Sequence, residues 1–377
     1  MNERHINKSM RLKGLIIKEF LQIWRDPSSL AIAFVMPVFL LLLFGYGVSL
    51  DAKHVPIGWV IDKSTPETTS FTAAFERSEY FNNHHYTHMG AAKQAMQQRK
   101  IHAIIHLRAN FSRELFKQNS PSIQVIVDGV DANTARLISG YIQAAWNEWL
   151  THLAQTRGIP LAYPVIAEQR IWYNSAILSK DYLVPGLIAV IMTLIGALLT
   201  ALVMAREWER GTLEAMIATP VTMREVLAGK LIPYYLLGMG GMLLSIAMAV
   251  FLFDVPLRGS FWVLLLTGSL FMLVALGMGL VISIVTKNQF VAGQVAIIAT
   301  FLPAFILSGF IFDIDSMPFA IQAFTYLVAA RYFVAILQTV FLTGNVWAII
   351  LPNAAALLLM AVLFFILAMK KAPKRLE

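Results

Sequence analysis

The sequence contains no cysteine and few charged residues, and each shortage excludes a class of protein. Without cysteine there is no disulfide framework, no cysteine-ligated zinc site and no iron–sulfur cluster. Charged residues make up 14% of the 377 residues, and hydrophobic residues make up 58%. Soluble domains contain about 25% charged and roughly 45–50% apolar residues. With a mean hydropathy of +0.65, the composition argues against a soluble, coiled-coil or disordered chain and predicts a membrane protein.

Signature motifs of enzymes are also missing. The single Gly-Lys pair, Gly229–Lys230, is followed by Leu231 and lacks the upstream glycine of a phosphate-binding loop. Neither the serine-hydrolase pattern G-x-S-x-G nor the zinc-protease pattern H-E-x-x-H occurs. We therefore predict that this chain is not an enzyme, has no catalytic residues and binds no cofactor of its own.

Six stretches are long and apolar enough to cross a bilayer as helices, because lipid cannot satisfy the hydrogen bonds of an exposed backbone. The first begins too late for a cleavable signal peptide, so we interpret it as an uncleaved anchor. No ionisable residue lies within the assigned boundaries. This argues against a proton- or ion-coupled carrier, so any energy must enter from elsewhere. The six spans are Leu30–Leu50, Tyr182–Met204, Leu231–Phe253, Phe261–Val285, Phe290–Phe312 and Trp347–Met369.

The positive charges lie mainly on one side of these spans. An even number of spans puts both termini on the same side, where fifteen Lys and Arg face eight Asp and Glu, a net charge of +7. The other side has fifteen cations and fourteen acids, a net charge of +1. The positive-inside rule assigns the more basic side, with both termini, to the cytoplasm. The basic tail, residues 370–377, is then ordinary membrane flanking and not a nucleic-acid site.

Residues 51–181, between the first two spans, are much less hydrophobic and alternate between strand and helix patterns. Ser64 and Glu67, on either side of Pro66, predict one helix start. The alternation predicts an α/β domain, which the charge argument places outside the cytoplasm. The whole chain is thus predicted to be an α-helical polytopic membrane protein with an extracytoplasmic α/β insertion. Its predicted strands are Val55–Ile61, Ala103–Leu107 and Ile123–Val127, and its predicted helices are Thr68–Tyr80, Ala91–Arg99 and Ala135–Gln155.

Two further segments flank the spans. Residues 1–29 contain an amphipathic pattern that predicts a helix lying in the cytoplasmic membrane interface. Asp26 followed by Pro27 predicts the N-cap and first turn of span one. Residues 313–346 are apolar but interrupted, and Arg331 within them is costly in lipid, so we predict a short outer hairpin that dips into the bilayer. The apolar face of the N-terminal helix comprises Leu12, Leu15, Ile16, Phe20, Ile23 and Trp24.

Small residues and histidines form two further patterns. Gly238–Gly241 and Gly277–Gly279 lie inside spans and predict close helix packing, which a row of Ala275, Gly279 and Ser283 extends. His84, His85 and His88, with His102 and His106 nearby, are the only metal-like cluster. No carboxylate accompanies them at a fixed spacing, so a solvated strand and loop is the main interpretation and a metal site the alternative.

The cytoplasmic link after span two, residues 206–220, is the most informative segment. We predict a short, charged helix that is broken at Gly211 and ended by Pro220. Thr222 and Glu225 predict a capping box for the next helix. A short, rigid, charged helix beneath a membrane bundle is typical of a docking element. Its apolar side comprises Leu213, Met216 and Ile217.

The same segment resembles the cytoplasmic signature of the type-2 ATP-binding-cassette exporter permeases. The matching residues are Glu207, Glu209, Gly211, Thr212, Glu214, Thr219 and Pro220. Supporting matches are Lys18–Glu19, Arg25–Asp26, Pro37 and Gly45 around span one, and Ser308–Gly309, Met317–Pro318, Arg331–Tyr332–Phe333 and Gly344 near the outer hairpin. The resemblance covers essentially the whole chain. Ala329–Ala330 is a departure, because many relatives have a proline before the aromatic pair.

The resemblance implies a bacterial inner-membrane exporter subunit, moving drug- or lipid-like cargo and driven by a separate ATPase subunit that binds ATP and Mg²⁺. A second permease half, identical or related, would complete the path, and a membrane-fusion adaptor would meet the outer domain. The coupling helix would contact the ATPase through Arg206, Glu207, Glu209, Arg210, Gly211, Thr212, Glu214 and Pro220. The N-terminal helix would pass force to span one through Lys18, Glu19, Trp24, Arg25 and Asp26.

One alternative from a different class stays open at this point. The chain would be a non-transporting sensor or scaffold, whose outer domain binds a ligand or adaptor and whose cytoplasmic helix signals. Flux that depends on an ATPase separates the two hypotheses.

Overall fold

The computed structural model divides the chain into two compact units. One unit comprises Met1–Ser49 with Ile171–Glu377, and the other comprises Leu50–Arg170. Within them, the residues that the structure describes are 2–47, 54–78, 80–115, 123–130, 132–157, 173, 178–212 and 221–371. Each unit is described by itself.

The first unit is a bundle of helices. Six of its helices are long and apolar enough to cross a membrane, so the chain is a multi-pass membrane protein. The described helices of this unit are α1 (Asn2–Trp24), α2 (Pro27–Gly47), α7 (Ser179–Glu209), α8 (Met223–Phe251), α9 (Phe261–Thr286), α10 (Gln289–Leu307), α11 (Phe319–Thr325), α12 (Ala329–Thr343) and α13 (Trp347–Lys371).

The six spanning helices match the six predicted stretches in order, but two of them extend well beyond the predicted ends. Helix α7 continues past Met204 to Glu209, and α8 begins at Met223 instead of Leu231. The added turns contain charged residues, among them Arg206, Glu207 and Lys230, which lie outside the predicted boundaries. Hydropathy alone stops a span at its first charge, whereas a helix ends where its backbone hydrogen bonds end.

Helix α7 is the core of the bundle. In its most apolar stretch 94% of the residues are buried, against 17–61% in the other five spans. It packs against α2, α8, α9, α10 and α12. A helix that is apolar on every side fits lipid as well as a protein interior. The burial of α7 therefore comes from the packing of these five helices around it.

Small residues set the distance between α7 and α9. A Cβ atom on Gly279 would lie 2.1 Å from the carbonyl oxygen of Ala197, and one on Gly196 would lie 2.5 Å from the Cβ of Ala275. The close approach lets the Thr200 hydroxyl donate a 2.8 Å hydrogen bond to the carbonyl of Leu276 on the facing helix. The predicted role of Gly279 and Ala275 in helix packing is thus confirmed.

Residues 313–346 form a bent pair of helices. Helices α11 and α12 meet at 83°, so they are not one straight span. Arg331, near the start of α12, donates to the Thr325 hydroxyl and packs over the Tyr326 ring at 3.8 Å. Ala329 and Ala330 begin α12 and are buried. The outer hairpin predicted for this segment, and its position relative to the bilayer, stay predictions.

The second unit is a small α/β fold. Its four-stranded sheet has the order β2-β1-β3-β4, with β1 parallel to β2 and β3, and β4 antiparallel to β3. Helices α3 and α6 cover one face of the sheet, and α4 covers the other. The elements are β1 (Val55–Ile61), α3 (Pro66–Glu76), β2 (Phe81–Tyr86), α4 (Met89–Gln97), β3 (Ala103–Leu107), α5 (Phe111–Leu115), β4 (Gln124–Val127) and α6 (Ala132–Arg157).

An aromatic cluster fills the space between the sheet and α3. Trp59 is fully buried and meets the rings of Phe71 and Phe75 edge-on at 5.7 and 5.1 Å. Its indole nitrogen donates to Asn83 on β2 at 2.8 Å. Burying three large rings accounts for several kcal/mol, at roughly 1.5–3 kcal/mol for each large side chain.

Two local predictions in this unit need correction. Strand β2 is missing from the predicted strands of the domain, because its polar run has no apolar alternation, and only its histidines were interpreted as a solvated strand and loop. Its backbone pairing with β1 makes it a strand. Helix α3 is capped by Thr65 and Thr68, not by Ser64 and Glu67. The Thr68 hydroxyl accepts from the backbone N–H of Thr65, and the Thr65 hydroxyl accepts from the backbone N–H of Thr68. The capping box therefore begins one residue later than the sequence motif indicated.

We expect Gly279→Ala to destabilise the bundle by about 1–3 kcal/mol, because the new methyl group would force α7 and α9 apart. Thermal unfolding of the purified chain in detergent measures the loss. Gly140→Ala in α6 is the control, since its Cβ would meet no atom within 4 Å. An unchanged midpoint for Gly279→Ala would show that the α7–α9 contact tolerates a wider spacing.

Candidate functional site

The last turn of α7 lies where the predicted docking segment begins. Arg206, Glu207, Trp208 and Glu209 belong to α7 itself, which ends at Glu209 with Arg210 as its C-cap. The prediction of a separate short helix is therefore wrong for these residues. Together the four contact three different parts of the bundle, so we call Arg206–Glu209 the anchoring turn.

Arg206 joins the anchoring turn to the junction of α1 and α2. Its guanidinium lies 3.0 Å from the carboxylate of Asp26. Asp26 is also the N-cap of α2, as predicted, accepting from the backbone of Ser28 at 3.2 Å and from the hydroxyl of Ser29 at 2.7 Å. One carboxylate thus caps one helix and binds the end of another.

The environment of Asp26 favours its charged form. Partial burial by itself raises the pKa of the carboxyl. Hydrogen bonds from Ser28 and Ser29 and the positive charge of Arg206 act in the opposite direction and outweigh burial. The pKa of Asp26 is consequently held below its ordinary value of 3.8.

Glu207 points into the bundle and forms a buried ion triad. Its carboxylate accepts a hydrogen bond from the ammonium of Lys230 on α8. The same ammonium donates to Glu19 on α1 at 2.8 Å. Glu19, Glu207 and Lys230 are 1%, 5% and 4% exposed. Direct contact of Glu207 with an ATPase, as the sequence suggested, does not fit a side chain this buried.

Trp208 and Glu209 join the anchoring turn to the link between α9 and α10. The ammonium of Lys287 lies 5.1 Å from the centre of the Trp208 ring. Glu209 accepts hydrogen bonds from the Asn288 side chain at 2.6 Å and from the backbone of Gln289 at 3.1 Å. A carboxylate at the first turn of α10 is also stabilised by the helix dipole.

The chain leaves α7 at a glycine. Gly211 has a φ of +64°, a left-handed conformation that costs other residues about 1–2 kcal/mol. Arg210 and Thr212, on either side of it, are exposed. The predicted break at Gly211 is confirmed, and so is the capping box of Thr222 and Glu225 at the start of α8. Glu214 and Pro220 lie outside the described residues.

Helix α1 lies along the first turns of α8. A Cβ on Gly229 would lie 2.8 Å from the Cβ of Leu15, so the glycine permits close packing one turn before Glu19. Arg11 lies 3.8 Å from Glu225 at one end of this contact. The predicted apolar face is only partly buried, because Ile23 faces the bundle while Trp24 is 81% exposed. Lys18 and Arg25 are exposed as well.

Lys230 is the member of this site that sequence analysis missed. It was noted only as part of an incomplete phosphate-loop motif. Its position next to Gly229, within the apolar run from Leu227 to Leu231, was the available signal. A lysine surrounded by apolar residues in a helix needs a buried carboxylate partner. Which carboxylates supply it depends on helix packing.

The histidines of the second unit are not brought together. His85 on β2 lies 3.9 Å from Glu76, and His88 contacts its neighbour Thr87. His106 binds Asp62 and Gln124 at 3.0 and 3.2 Å. Within the described ranges there is no group of three or more His, Asp or Glu able to hold a metal. The arrangement therefore gives no support to the alternative of a metal site at His84, His85 and His88.

Six apolar spans, one of which is a buried central helix with a charged turn at its end, define a multi-pass membrane protein of the transport class. The family model of the ABC-2 family transporter proteins matches residues 27–370. That match covers most of the chain. The chain therefore belongs to the ABC-2 transporter family.

Individual relatives support the same assignment. The chain is 43% identical to "Probable multidrug ABC transporter permease YbhS" of Escherichia coli (strain K12), over 97% of this chain and 98% of the relative. It is 27% identical to "Probable multidrug ABC transporter permease YbhR" of the same strain, over 88% and 90%. Identity to that strain's "Inner membrane transport permease YhhJ" is 26%, over 72% of each chain.

We expect Asp26→Asn to destabilise the folded chain by about 1–2 kcal/mol at pH 7. Asparagine keeps the N-cap but removes the charge that faces Arg206. Because the pKa of Asp26 is lowered in the folded state, ionised Asp26 contributes stability above its unfolded value of 3.8. That contribution is lost as the pH falls through the lower folded value.

Thermal unfolding in detergent at pH 7, 5 and below 4 checks this prediction. The difference in unfolding temperature between the parent and Asp26→Asn is expected to have its full size at pH 7 and 5 and to become smaller below pH 4. Asp315→Asn, which removes an exposed acid without an ion pair among the described residues, is the control. A difference that does not change with pH would contradict the assigned ion pair.

Proposed function

We propose that this chain is the membrane-spanning subunit of an exporter that is driven by a separate ATPase. The observation that carries the proposal is the anchoring turn. At the end of the most buried helix, Arg206 binds the start of α2, Glu207 binds α8 and Glu209 binds the start of α10, and Lys230 of α8 extends the contact of Glu207 to α1. A displacement applied at this point reaches every one of those helices.

The segment that follows Gly211 is the proposed docking element. Its residues, 212–220, carry the second half of the signature that resembles the type-2 exporter permeases. Arg210 and Thr212 are exposed beside it, whereas Glu207 is buried. We therefore assign ATPase contact to Arg210, Thr212 and Glu214, and assign the fixing of the segment to Arg206, Glu207 and Glu209.

The chemistry of ATP belongs to the partner in this proposal. The chain has no phosphate-binding loop, so ATP and Mg²⁺ would bind to the ATPase subunit. The charge distribution supports a bacterial inner-membrane location with both termini in the cytoplasm and the α/β unit outside it. A second permease half would complete the transport path, and a membrane-fusion adaptor would bind the α/β unit.

The proposed cargo is apolar or amphiphilic, drug- or lipid-like. The charged residues of α7 and α8 lie near the helix ends, with Arg206, Glu207 and Lys230 around the anchoring turn and the buried Asp181 in the first turn of α7. The apolar stretches between the helix ends offer a route for an apolar or amphiphilic molecule. They have no charged groups that would compensate the lost hydration of a small, highly charged solute.

Charge reversal in the docking segment tests the partner. We expect Arg210→Glu combined with Glu214→Lys to abolish co-purification of an ATPase subunit in mild detergent, because both changes reverse charges beside Gly211. Lys13→Glu, an exposed charge on α1, is the matched control and is expected to retain the ATPase. Retention of the ATPase by the double variant would contradict the assigned docking segment.

Reconstitution tests the cargo and the alternative function. In proteoliposomes containing the chain and its co-purified ATPase, we expect ATP-dependent movement of a fluorescent lipid-like amphiphile and none of inorganic sulfate. Export of sulfate at a comparable rate would overturn the proposed cargo class. Absence of any ATP-dependent flux would favour the sensor or scaffold.

A further inference from the structure

Lys230 lies between two carboxylates that belong to different helices. Glu19 comes from α1 and Glu207 from the anchoring turn of α7, and all three side chains are at least 94% buried. No other described ion pair of the bundle joins three helices through one cation. The ammonium has three protons, so it can serve both carboxylates at once.

Stability is a poor explanation for such a triad. Buried ion groups can often be replaced by apolar side chains with no loss of stability, whereas removing one partner is strongly destabilising. Position is the better explanation, since each charge is held only where its partner lies. The triad therefore fixes the relative positions of α1, α7 and α8 in a way that apolar packing alone does not.

The two contacts of Lys230 are separable. On Glu19 and on Glu207, one carboxylate oxygen binds the ammonium and the other is buried without a hydrogen-bond partner within the described part of the chain. If one carboxylate withdraws, the ammonium stays paired with the remaining one. The triad thus has two ion pairs that we call its arms. The Lys230–Glu19 arm holds α1 to α8, and the Lys230–Glu207 arm joins α8 to α7.

The other charges around the triad do not replace either arm. Lys18 lies 3.5 Å from Glu19 but is half exposed, so solvent weakens its attraction. Arg206, next to Glu207, is already bound to Asp26. Tyr234, one turn from Lys230 on α8, has a hydroxyl and no positive charge to offer a carboxylate. Lys230 is therefore the buried cation available to Glu19.

Apart from this arm, α1 packs along the start of α8, where Leu15 meets Gly229 and Arg11 lies 3.8 Å from Glu225. Several of the side chains that the structure describes on α1 are exposed, among them Ile17, Leu21 and Trp24. Of the described α1 side chains, Glu19 is the buried polar one, so its ion pair with Lys230 is the contact whose loss would release α1 locally.

We propose that Lys230 is a two-armed positioning residue of the transport subunit. Through Glu19 it holds α1 against α8, and through Glu207 it holds α8 against the end of α7. The α1 arm can open while α7 and α8 stay joined, so α1 moves independently of the anchoring turn. This inference rests on the proposed function for its role in transport, but not for its test.

The absence of cysteine in the chain makes a direct test possible. Ile23→Cys places one thiol on the face of α1 that is 5% exposed, and Ser245→Cys places one in the core of α8, where the side chain is fully buried. The rate of modification by a water-soluble maleimide, in the full chain in nanodiscs without ATPase, reports release of α1 at the first site and general loosening at the second.

In the Ile23→Cys background, we expect Glu19→Gln to raise the modification rate about tenfold or more, because a buried charge-assisted hydrogen bond is lost. Glu207→Gln is expected to leave the rate within about twofold, since Lys230 still binds Glu19. Lys18→Gln is the control for the neighbouring charge and should have no effect. Should Glu19→Gln fail to fold, Glu19→Asp, which keeps the charge on a shorter side chain, is expected to give an intermediate rate.

Equal rates for Glu19→Gln and its parent would overturn the proposal, because α1 would then be held by its contact with Gly229 alone. An equal rise for Glu207→Gln would also overturn it, because the triad would then open as one unit. A rise at Ser245→Cys would signify unfolding and count against a local release.

A second measurement distinguishes a role of the Glu19 arm in coupling from a purely structural role. With the co-purified ATPase, Glu19→Gln is expected to retain ATP hydrolysis but to lower the cargo moved per ATP hydrolysed. An unchanged ratio would contradict a role in coupling. If no ATPase co-purifies, the proposed function fails while the maleimide result still decides how Lys230 acts.

Discussion

The burial of α7 is the constraint on which the rest of the membrane unit depends. A helix enclosed on all sides must be approached closely by its neighbours, and this is why glycine and alanine line its contact with α9. It also has nowhere to place charge except at its ends. The polar residues that end it must then be paired with groups from the surrounding helices, and Arg206, Glu207, Trp208 and Glu209 are.

In the proposed exporter, these pairings are the contacts that would transmit a displacement of the docking segment to the surrounding helices. Apolar contacts between helices in lipid have little hydrophobic driving force, because the lipid offers nearly the same environment as the neighbouring helix. Ion pairs and helix caps resist relative movement of the helices, since each has a preferred geometry and breaking it costs free energy. The anchoring turn concentrates such contacts in one turn of helix, and the left-handed backbone at Gly211 separates it from the segment that follows.

The α/β unit is stabilised by different physics. Its central strand β1 is buried on both faces, and its aromatic rings pack edge-on against α3. Here hydrophobic burial from water is available, as it is not between helices in lipid. Strands β1, β3 and β4 were predictable from their apolar runs. Strand β2 was not, because its residues alternate poorly and only its pairing partner defines it.

By itself, the sequence determined the membrane class, the order of the six spans, the inserted α/β unit, the capping residues Asp26 and Thr222, the packing glycines and the break at Gly211. These features depend on composition or on residues within a few positions of one another. Only the tertiary structure decided that Glu207 faces inward, that Lys230 binds Glu19 on a helix 211 residues away, and that Glu209 accepts the backbone N–H of Gln289 at the start of α10. Such pairings depend on which helices meet and at what rotation, and a local pattern contains no information about either.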